Sequence, residues 1–369
     1  MDAVTTPPAI GRSVDELDTP ALLVDLDVLD GNIRRIADAC RSGGVRWRPH
    51  VKGVCMPAVA HLMVRAGAVG ITCAKLDEAE AMIDAGLDEV LIANQIVGDH
   101  KVARLVDLAA SATVTVAVDD RGNVGELGAA ALRAGIRLRV VIEVDIGLHR
   151  AGVQPGAEVV ELARTIAAEP GLELRGVMGW EGHATRIADQ GDKALVVSRA
   201  IGLLTGSAAA CRVSGLPIAV VSCGGTGTYP MAVAEAGVTE IQAGGGVFSD
   251  VRYRTLMGVD HPPALTVLTT VTSRPRPERI VCDAGRKTMS ADAAVPVPIG
   301  IGPTRSVVLS AEHTTIELAA PSPDPRVGAR LEFVIGQADT SLPLNDEVFG
   351  VRDRRVEVVW PVLGWARTR

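Results

Sequence analysis

The chain is 369 residues long with a formal net charge of −7, and 47% of its residues are hydrophobic. That supports a large core, and because aromatics make up only 2%, the core must be Val, Leu, Ile and Ala. The charge is spread without a basic block, which argues against nucleic acid as a partner, and no uncharged apolar run reaches the roughly 18 residues that a membrane span needs.

Length allows one barrel of about 250 residues with a smaller domain. Cys40, Cys55, Cys73, Cys211, Cys223 and Cys282 form no C-x-x-C pair. Their spacing suggests neither zinc nor a disulfide framework, so reduced thiols in a cytoplasmic protein are expected. The first twenty residues lack the apolar segment of a signal peptide. Residues 1–19, polar and proline-containing, are expected to form a flexible or loosely docked arm.

"ALLVDLDVL" (21–29) reads as a strand running into a helix, "DGNIRRIADACRSGG". From there β-branched runs alternate with Ala/Leu-rich helical stretches. The expected strands are 45–52, 70–75, 89–96, 113–119, 138–146, 174–182, 219–225 and 239–245. Several intervening helical patterns end in glycine, as helix C-termini tend to. Repeated strand–helix units imply a parallel sheet. Eight of them in about 200 residues point to an α/β fold, a (β/α)8 TIM-type barrel. An open doubly wound sheet is the alternative, but no G-x-G-x-x-G follows the first strand. After about residue 258 the texture becomes β runs punctuated by Pro, Gly and Asp. The expected organisation is an arm and first strand over 1–30, which fits either unit, a barrel over 31–256, and a C-terminal mostly-β domain over 257–369.

In such a barrel, function gathers at the C-terminal ends of the strands. Those ends hold Lys52, Lys75, Asn94, Asp119, Asp145, Glu181, His183 and two glycine-rich loops, "CGGTGT" (223–228) and "AGGG" (243–246). Lys52 is one of only five lysines. Strand alternation puts Arg48, His50 and Lys52 on one side. Neighbouring cations and burial lower a lysine pKa, as imine chemistry requires; a strand-end lysine in solvent is the plain alternative. The loops around Gly225, Thr226, Gly227 and Thr228, and around Gly244, Gly245 and Gly246, suit an anion because glycine lets backbone N–H groups approach closely. Ordinary turns would use the same residues. A phosphate site paired with an imine lysine suits pyridoxal 5′-phosphate (PLP). Arg150 either supports the cofactor ring or pairs with Asp145. His183 is either a general base or a structural histidine. His313, in "AEHTTIEL", either reaches the site or caps a turn.

The segments "RPHVK", "GITCAKLDEAE", "EVDIGLHRAGV", "EGH", "SCGGTGTYP", "EIQAGGGVFSD" and "VCDAGRKTMSAD" together resemble the D-threonine aldolase / D-serine dehydratase family of alanine-racemase-like, fold-type III PLP enzymes. The resemblance runs over nearly the whole chain. It implies that Lys52 carries the cofactor, that the two glycine loops correspond to cofactor-phosphate regions, and that the protein is a homodimer taking a small amino acid as substrate.

Several positions depart from the family pattern. Gly53, Val54 and Cys55 stand where relatives continue with "THK", Trp180 where a tyrosine is common, and Gly245-Gly246 where Ser-Tyr is common. The family's divalent metal is held by a histidine and, two residues on, a cysteine or aspartate; here Gln337 and Asp339 occupy those places. Glutamine is a poor ligand for a transition metal. The leading expectation is a PLP-dependent lyase acting on a small β-hydroxy D-amino acid, with Lys52 and His183 catalytic and His50 and Arg150 positioning the ring. The alternatives are a metal-independent racemase, epimerase or transaldolase of the same fold, and a non-catalytic PLP-binding protein.

Overall fold

The computed structural model describes residues 9–363. The chain divides into two compact units, one of residues 33–245 with 256–259, the other of residues 9–32, 246–255 and 260–363. In chain order, strand β1 (Ala21–Asp25) and helix α1 (Leu26–Ser42) come first.

The first unit is an alternation of parallel strands and helices. Its strands are β2 (Arg46–Trp47), β3 (Ile71–Cys73), β4 (Glu89–Ile92), β5 (Thr113–Val118), β6 (Leu138–Glu143), β7 (Leu172–Met178), β8 (Val220–Cys223) and β9 (Glu240–Ile241). They pair in the order β2-β9-β8-β7-β6-β5-β4-β3. The remaining gap, between β2 and β3, is spanned by the His50–Thr72 bridge. Backbone bonds from Val69 N to Trp47 O and from Thr72 N to Pro49 O, both 2.8 Å, reinforce it. The sheet therefore curls round on itself, as the sequence pattern predicts. Inside it Leu91, Ala117, Val141 and Met178 pack as one buried cluster, aliphatic as the composition requires.

The helices are α2 (Pro57–Arg65), α3 (Leu76–Asp84), α4 (Asp99–Ser111), α5 (Arg121–Arg133), α6 (Ala157–Ala168), α7 (Gln190–Val213) and the short α8 (Tyr229–Ala232). Local chemistry sets their ends. Asp120 and Asp189 cap α5 and α7 by accepting backbone N–H bonds from Asn123 and Asp192. Gly86, Gly135 and Gly215, at φ of +86°, +70° and +77°, terminate α3, α5 and α7 in the left-handed conformation. By length and composition α7 is apolar enough to cross a membrane, but Val197, Ile201, Leu204, Ala208 and Cys211 are buried within this unit.

The second unit is mostly β. Its further strands are β10 (Leu265–Arg276), β11 (Arg279–Cys282), β12 (Val297–Pro298), β13 (Thr304–Leu309), β14 (Thr314–Leu318), β15 (Arg330–Val334), β16 (Glu347–Arg352) and β17 (Arg355–Pro361). The main path is β13-β14-β11-β10-β1-β16-β17, with β15 pairing β10 and β12. β1 lies antiparallel to β10 and parallel to β16, so the first strand belongs to this unit. Of the arm expected to be flexible or loosely docked, residues 13–17 are docked. Val14 N donates to Arg354 O at 2.9 Å, and Val14 and Leu17 are buried with Leu23, Leu268 and Val356. Residues 1–8 of that arm lie outside the described residues. Residues 246–255 also join this unit, because Val251 and Arg252 donate to the Ile335 and Gly336 carbonyls. The short helix α9 (Ala338–Ser341) follows that contact.

Candidate active site

The strand expected over 45–52 ends early. Pro49 has no N–H to give, and after it the chain winds into a 3-10 turn, Val51–Gly53. His50 caps that turn, its Nδ1 accepting the Lys52 N–H at 3.4 Å. Lys52 is thus on a turn just past the strand, exposed. Arg48 is not beside it: its guanidinium pairs with Glu240 at 3.0 Å and Glu89 at 3.5 Å. Cys55 helps to hold the turn, donating from Sγ to the Lys52 carbonyl. Burial pushes the His50 pKa well below the ordinary imidazole value, and the Lys52 charge pushes the same way; a hydrogen bond to the Thr72 backbone opposes them, and Arg150 adds to the lowering. His50 is neutral, and a neutral ring with an accepting Nδ1 is what the cap requires.

Lys52 Nζ makes no hydrogen bond or ion pair among the described residues. Its neighbour is the Trp180 indole, with the ring centroid 5.4 Å away. The Arg150 guanidinium lies 5.3 Å from the same ring. Arg150 also pairs with Glu143 at 3.6 Å, rather than with Asp145. Glu143 is buried and accepts from Gln95 Nε2 at 2.6 Å. Burial raises the Glu143 carboxyl, while Gln95 and Arg150 pull it back. One indole therefore gathers two cations, one of them anchored to a buried acid.

Asp145 instead organises the turn after β6. It accepts from the Gly147 and His149 N–H groups and from His149 Nδ1, at 2.9–3.0 Å. His183 packs against this turn: a Cβ added at Gly147 would lie 2.9 Å from the His183 ring. His183 Nδ1 is buried without a partner. Burial lowers the His183 pKa, His149 lowers it further and Asp145 opposes. The lowering favours the neutral imidazole, the form a general base needs.

The loop after β8 is held from beneath by Glu181, a fully buried carboxylate. It accepts from the Thr228 hydroxyl at 2.5 Å and from Gly224 N at 3.4 Å. Burial raises its carboxyl, and these hydrogen bonds work against the rise. Thr228 is consequently engaged with Glu181 and is not the anion donor expected from sequence. Gly224 is left-handed at φ +77°. A Cβ on Gly225 would sit 2.8 Å from Trp180 Nε1, and one on Gly227 would sit 2.9 Å from Met257 Sδ. Thr226 is buried in the same loop. Gly244 answers to packing: a Cβ there would lie 2.0 Å from the His50 carbonyl oxygen. Gly245 opens a 3-10 turn, Gly245–Val247. Gly246 falls in the second unit, where its carbonyl contacts His261 Nδ1 at 2.9 Å.

These residues fit PLP. They offer an unpaired amine, a spare arginine face, a neutral base and a tight glycine loop faced by an unpartnered indole N–H. The metal is another matter. Among the described residues no group of three or more His, Cys, Asp and Glu could hold an ion. Gln337 and Asp339 lie in the second unit, Gln337 buried and Asp339 with one orphaned oxygen. Neighbouring Asp250 spends both oxygens on the N–H groups of Tyr253 and Ala338. Gln337 offers a neutral amide where the family has an imidazole, and an amide is a poor ligand for a transition metal. His313 is exposed in the hairpin turn between β13 and β14, bonded to Ser310 through its backbone.

Three strand-end residues singled out from sequence have structural duties. Lys75 precedes α3, Asn94 bonds to Ala74 O and Gln95 N, and Asp119 accepts the Gly152 N–H. Sequence reasoning passed over Gln95 and Glu143. Gln95 stands beside the Asn94 that the strand-end rule did select, and Glu143 opens the quoted "EVDIGLHRAGV".

Two family models match the chain: "Alanine racemase, N-terminal domain" over residues 24–251 and "Putative serine dehydratase domain" over residues 264–351. A 3-hydroxy-D-aspartate aldolase of Paracoccus denitrificans (strain Pd 1222) is 34% identical, covering 95% of this chain and 93% of the relative. A D-threonine aldolase of Arthrobacter sp is 32% identical, covering 98% and 96%. The crystal structure of D-threonine aldolase from Filomicrobium marinum superposes with a TM-score of 0.94 at 33% identity, covering 98% of this chain and 99% of that one. The architecture, the strand-end cluster and these matches agree, and the chain belongs to the D-threonine aldolase / D-serine dehydratase family of alanine-racemase-like proteins.

Proposed function

We propose that this chain is a PLP-dependent lyase acting on small β-hydroxy D-amino acids, by retro-aldol cleavage or by dehydration. The observation that carries the proposal is the unpaired Lys52 amine at the Trp180 ring, beside Arg150. Lys52 would hold the cofactor through Nζ. Arg150 and His50 would position its ring, and Gly225, Thr226, Gly227, Gly244 and Gly245 would surround its phosphate. When bound, PLP supplies an electron sink for the pair left at the substrate Cα.

The chain's own residues supply proton transfer. In cleavage, the neutral His183 imidazole takes the proton of the β-hydroxyl; the carbonyl forms at Cβ as the Cα–Cβ bond breaks. In dehydration, the Lys52 amine would take the Cα proton, the C–O bond at Cβ would break, and the Lys52 ammonium would return that proton to the departing hydroxyl, which leaves as water, with the neutral His183 imidazole holding the hydroxyl by hydrogen bond. No step is assigned to a metal, since the Gln337–Asp339 pair does not fit one. Six buried cysteines outside any disulfide support a cytoplasmic location, and the family resemblance supports a homodimer, as part of the proposal.

The test is a screen of D- and L-β-hydroxy amino acids, scored for aldehyde and keto acid, with Lys52→Ala as control. Yellow wild type with turnover and a colourless, inactive variant are expected. Wild type that takes up no cofactor would sink the proposal. The second reading, a racemase, is favoured by Gln337 at the metal-ligand position. It predicts Cα deuteration with inversion in D2O and no carbonyl product.

A further inference from the structure

Trp180 lies near both Lys52 and the glycine loop of the proposed cofactor site. Its ring face neighbours Lys52 Nζ at 5.4 Å and Arg150 at 5.3 Å. Its six-membered ring lies over Gly182, where an added Cβ would come within 2.7 Å. Its Nε1 is turned to the glycine loop, 2.8 Å from where a Gly225 Cβ would be. Trp180 is half-buried, and its indole N–H keeps some access to solvent. Trp180 Nε1–H has no acceptor among the described residues, although Glu181 next to it in sequence is fully hydrogen-bonded. The loop it faces is already braced from beneath by Glu181 and Thr228. What the geometry leaves open is a donor beside a loop of glycines, on a ring that two cationic side chains approach to 5.3–5.4 Å. That arrangement is complementary to an anion.

The inference rests on the proposed PLP site and deepens it. We infer that Trp180 is a ligand of the cofactor phosphate through Nε1–H, and that its ring face restrains the Lys52 amine and the Arg150 guanidinium by cation–π contact. One side chain then sets the distance between the phosphate loop and the lysine. It also accounts for Gly225, because any larger residue there would displace the indole nitrogen.

Two measurements test this on the full chain. The first compares affinity for PLP with affinity for pyridoxal, which lacks the phosphate, in wild type and Trp180→Phe. Phenylalanine keeps a ring for the cations and removes the donor. PLP affinity is expected to fall about tenfold to a hundredfold, the effect of losing one hydrogen bond to an ionised acceptor, while pyridoxal affinity stays within about twofold. The second follows the wild type, with Trp180→Phe serving only to assign the signal. The chain has four tryptophans, so its indole N–H signals can be followed by NMR as inorganic phosphate is added. The signal absent from Trp180→Phe is expected to move. Equal loss of PLP and pyridoxal binding, or a Trp180 signal that does not respond to phosphate, overturns the inference. Wild type that binds neither PLP nor pyridoxal overturns the cofactor proposal itself, and this inference with it.

Discussion

Glu181 offers a severe test of how the site is held. The carboxylate is fully buried, with Thr228 Oγ1 at 2.5 Å, Gly224 N at 3.4 Å and no cation paired with it among the described residues. In Glu181→Ala the Thr228 hydroxyl keeps only its 3.2 Å bond to the Gly225 carbonyl, and Gly224 N–H is orphaned. A short bond to a charged acceptor is worth about 1.5–3 kcal/mol, and an orphaned buried donor costs about 1–3 kcal/mol. Relief of the buried charge offsets part of this, so a net loss of about 3 kcal/mol is expected. Glu181→Gln keeps the size and one acceptor, and should cost about 1–2 kcal/mol. Burial raises the Glu181 pKa, so its native-state contribution is fully present in acid and is lost as pH rises through the folded value. The Gln deficit should therefore shrink as pH rises. Urea unfolding at acidic and neutral pH gives the stabilities, and an absorbance titration gives PLP affinity, which should weaken in both variants. An alanine variant within about 0.5 kcal/mol of wild type, with unchanged PLP affinity, would refute the idea that Glu181 sets the loop.

His183→Gln should leave the cofactor absorbance intact and lower kcat about 10²- to 10⁴-fold; an active variant would remove His183 as base. Because the His183 pKa is lowered, the acid limb of the wild-type kcat profile should fall below the ordinary histidine range, and a limb above it would contradict the burial argument. Chelator should leave turnover within about twofold, since Gln337 replaces the family's histidine with a poor transition-metal ligand; complete loss with recovery on added metal would show that the ligand argument fails. Burial pushes the Asp250 carboxyl up to about 6. Its contribution to stability is thus present below the unfolded value near 4 and lost as pH rises through about 6. Asp250→Asn should flatten the stability profile across that window, measured by denaturation at several pH values.

Much of the fold could be read from the chain because barrel units repeat a local signal. The β-branched runs at 89–92, 113–118 and 138–143 became β4, β5 and β6, since each is a short apolar strand bounded by turn residues. The glycines after α3, α5 and α7 end those helices for a local conformational reason. Strand ends were less legible. Proline at 49 was in view, but that the chain turns into a 3-10 helix with His50 as its cap depends on packing between β2, β3 and β9. The docking of Val14 and Leu17 was hidden because their partners, Leu268 and Val356, are more than 200 residues away.

Lys52, Arg150, His183 and the loop at 224–228 were nominated by their residue types at strand ends, and type and position are properties of the sequence. What the sequence by itself determined, then, was the repeating architecture and the short list of chemically capable residues. Partnership was decided only by tertiary structure. Arg48 left the site for Glu240, Arg150 chose Glu143 over Asp145, and Thr228 gave its hydroxyl to Glu181. Each choice depends on distances across neighbouring strands, and a hydrogen bond falls away within an ångström or so. Trp180 makes the same point. In sequence it was a departure from a family tyrosine; in three dimensions it is a ring with two cations on its face and a free N–H at the glycine loop.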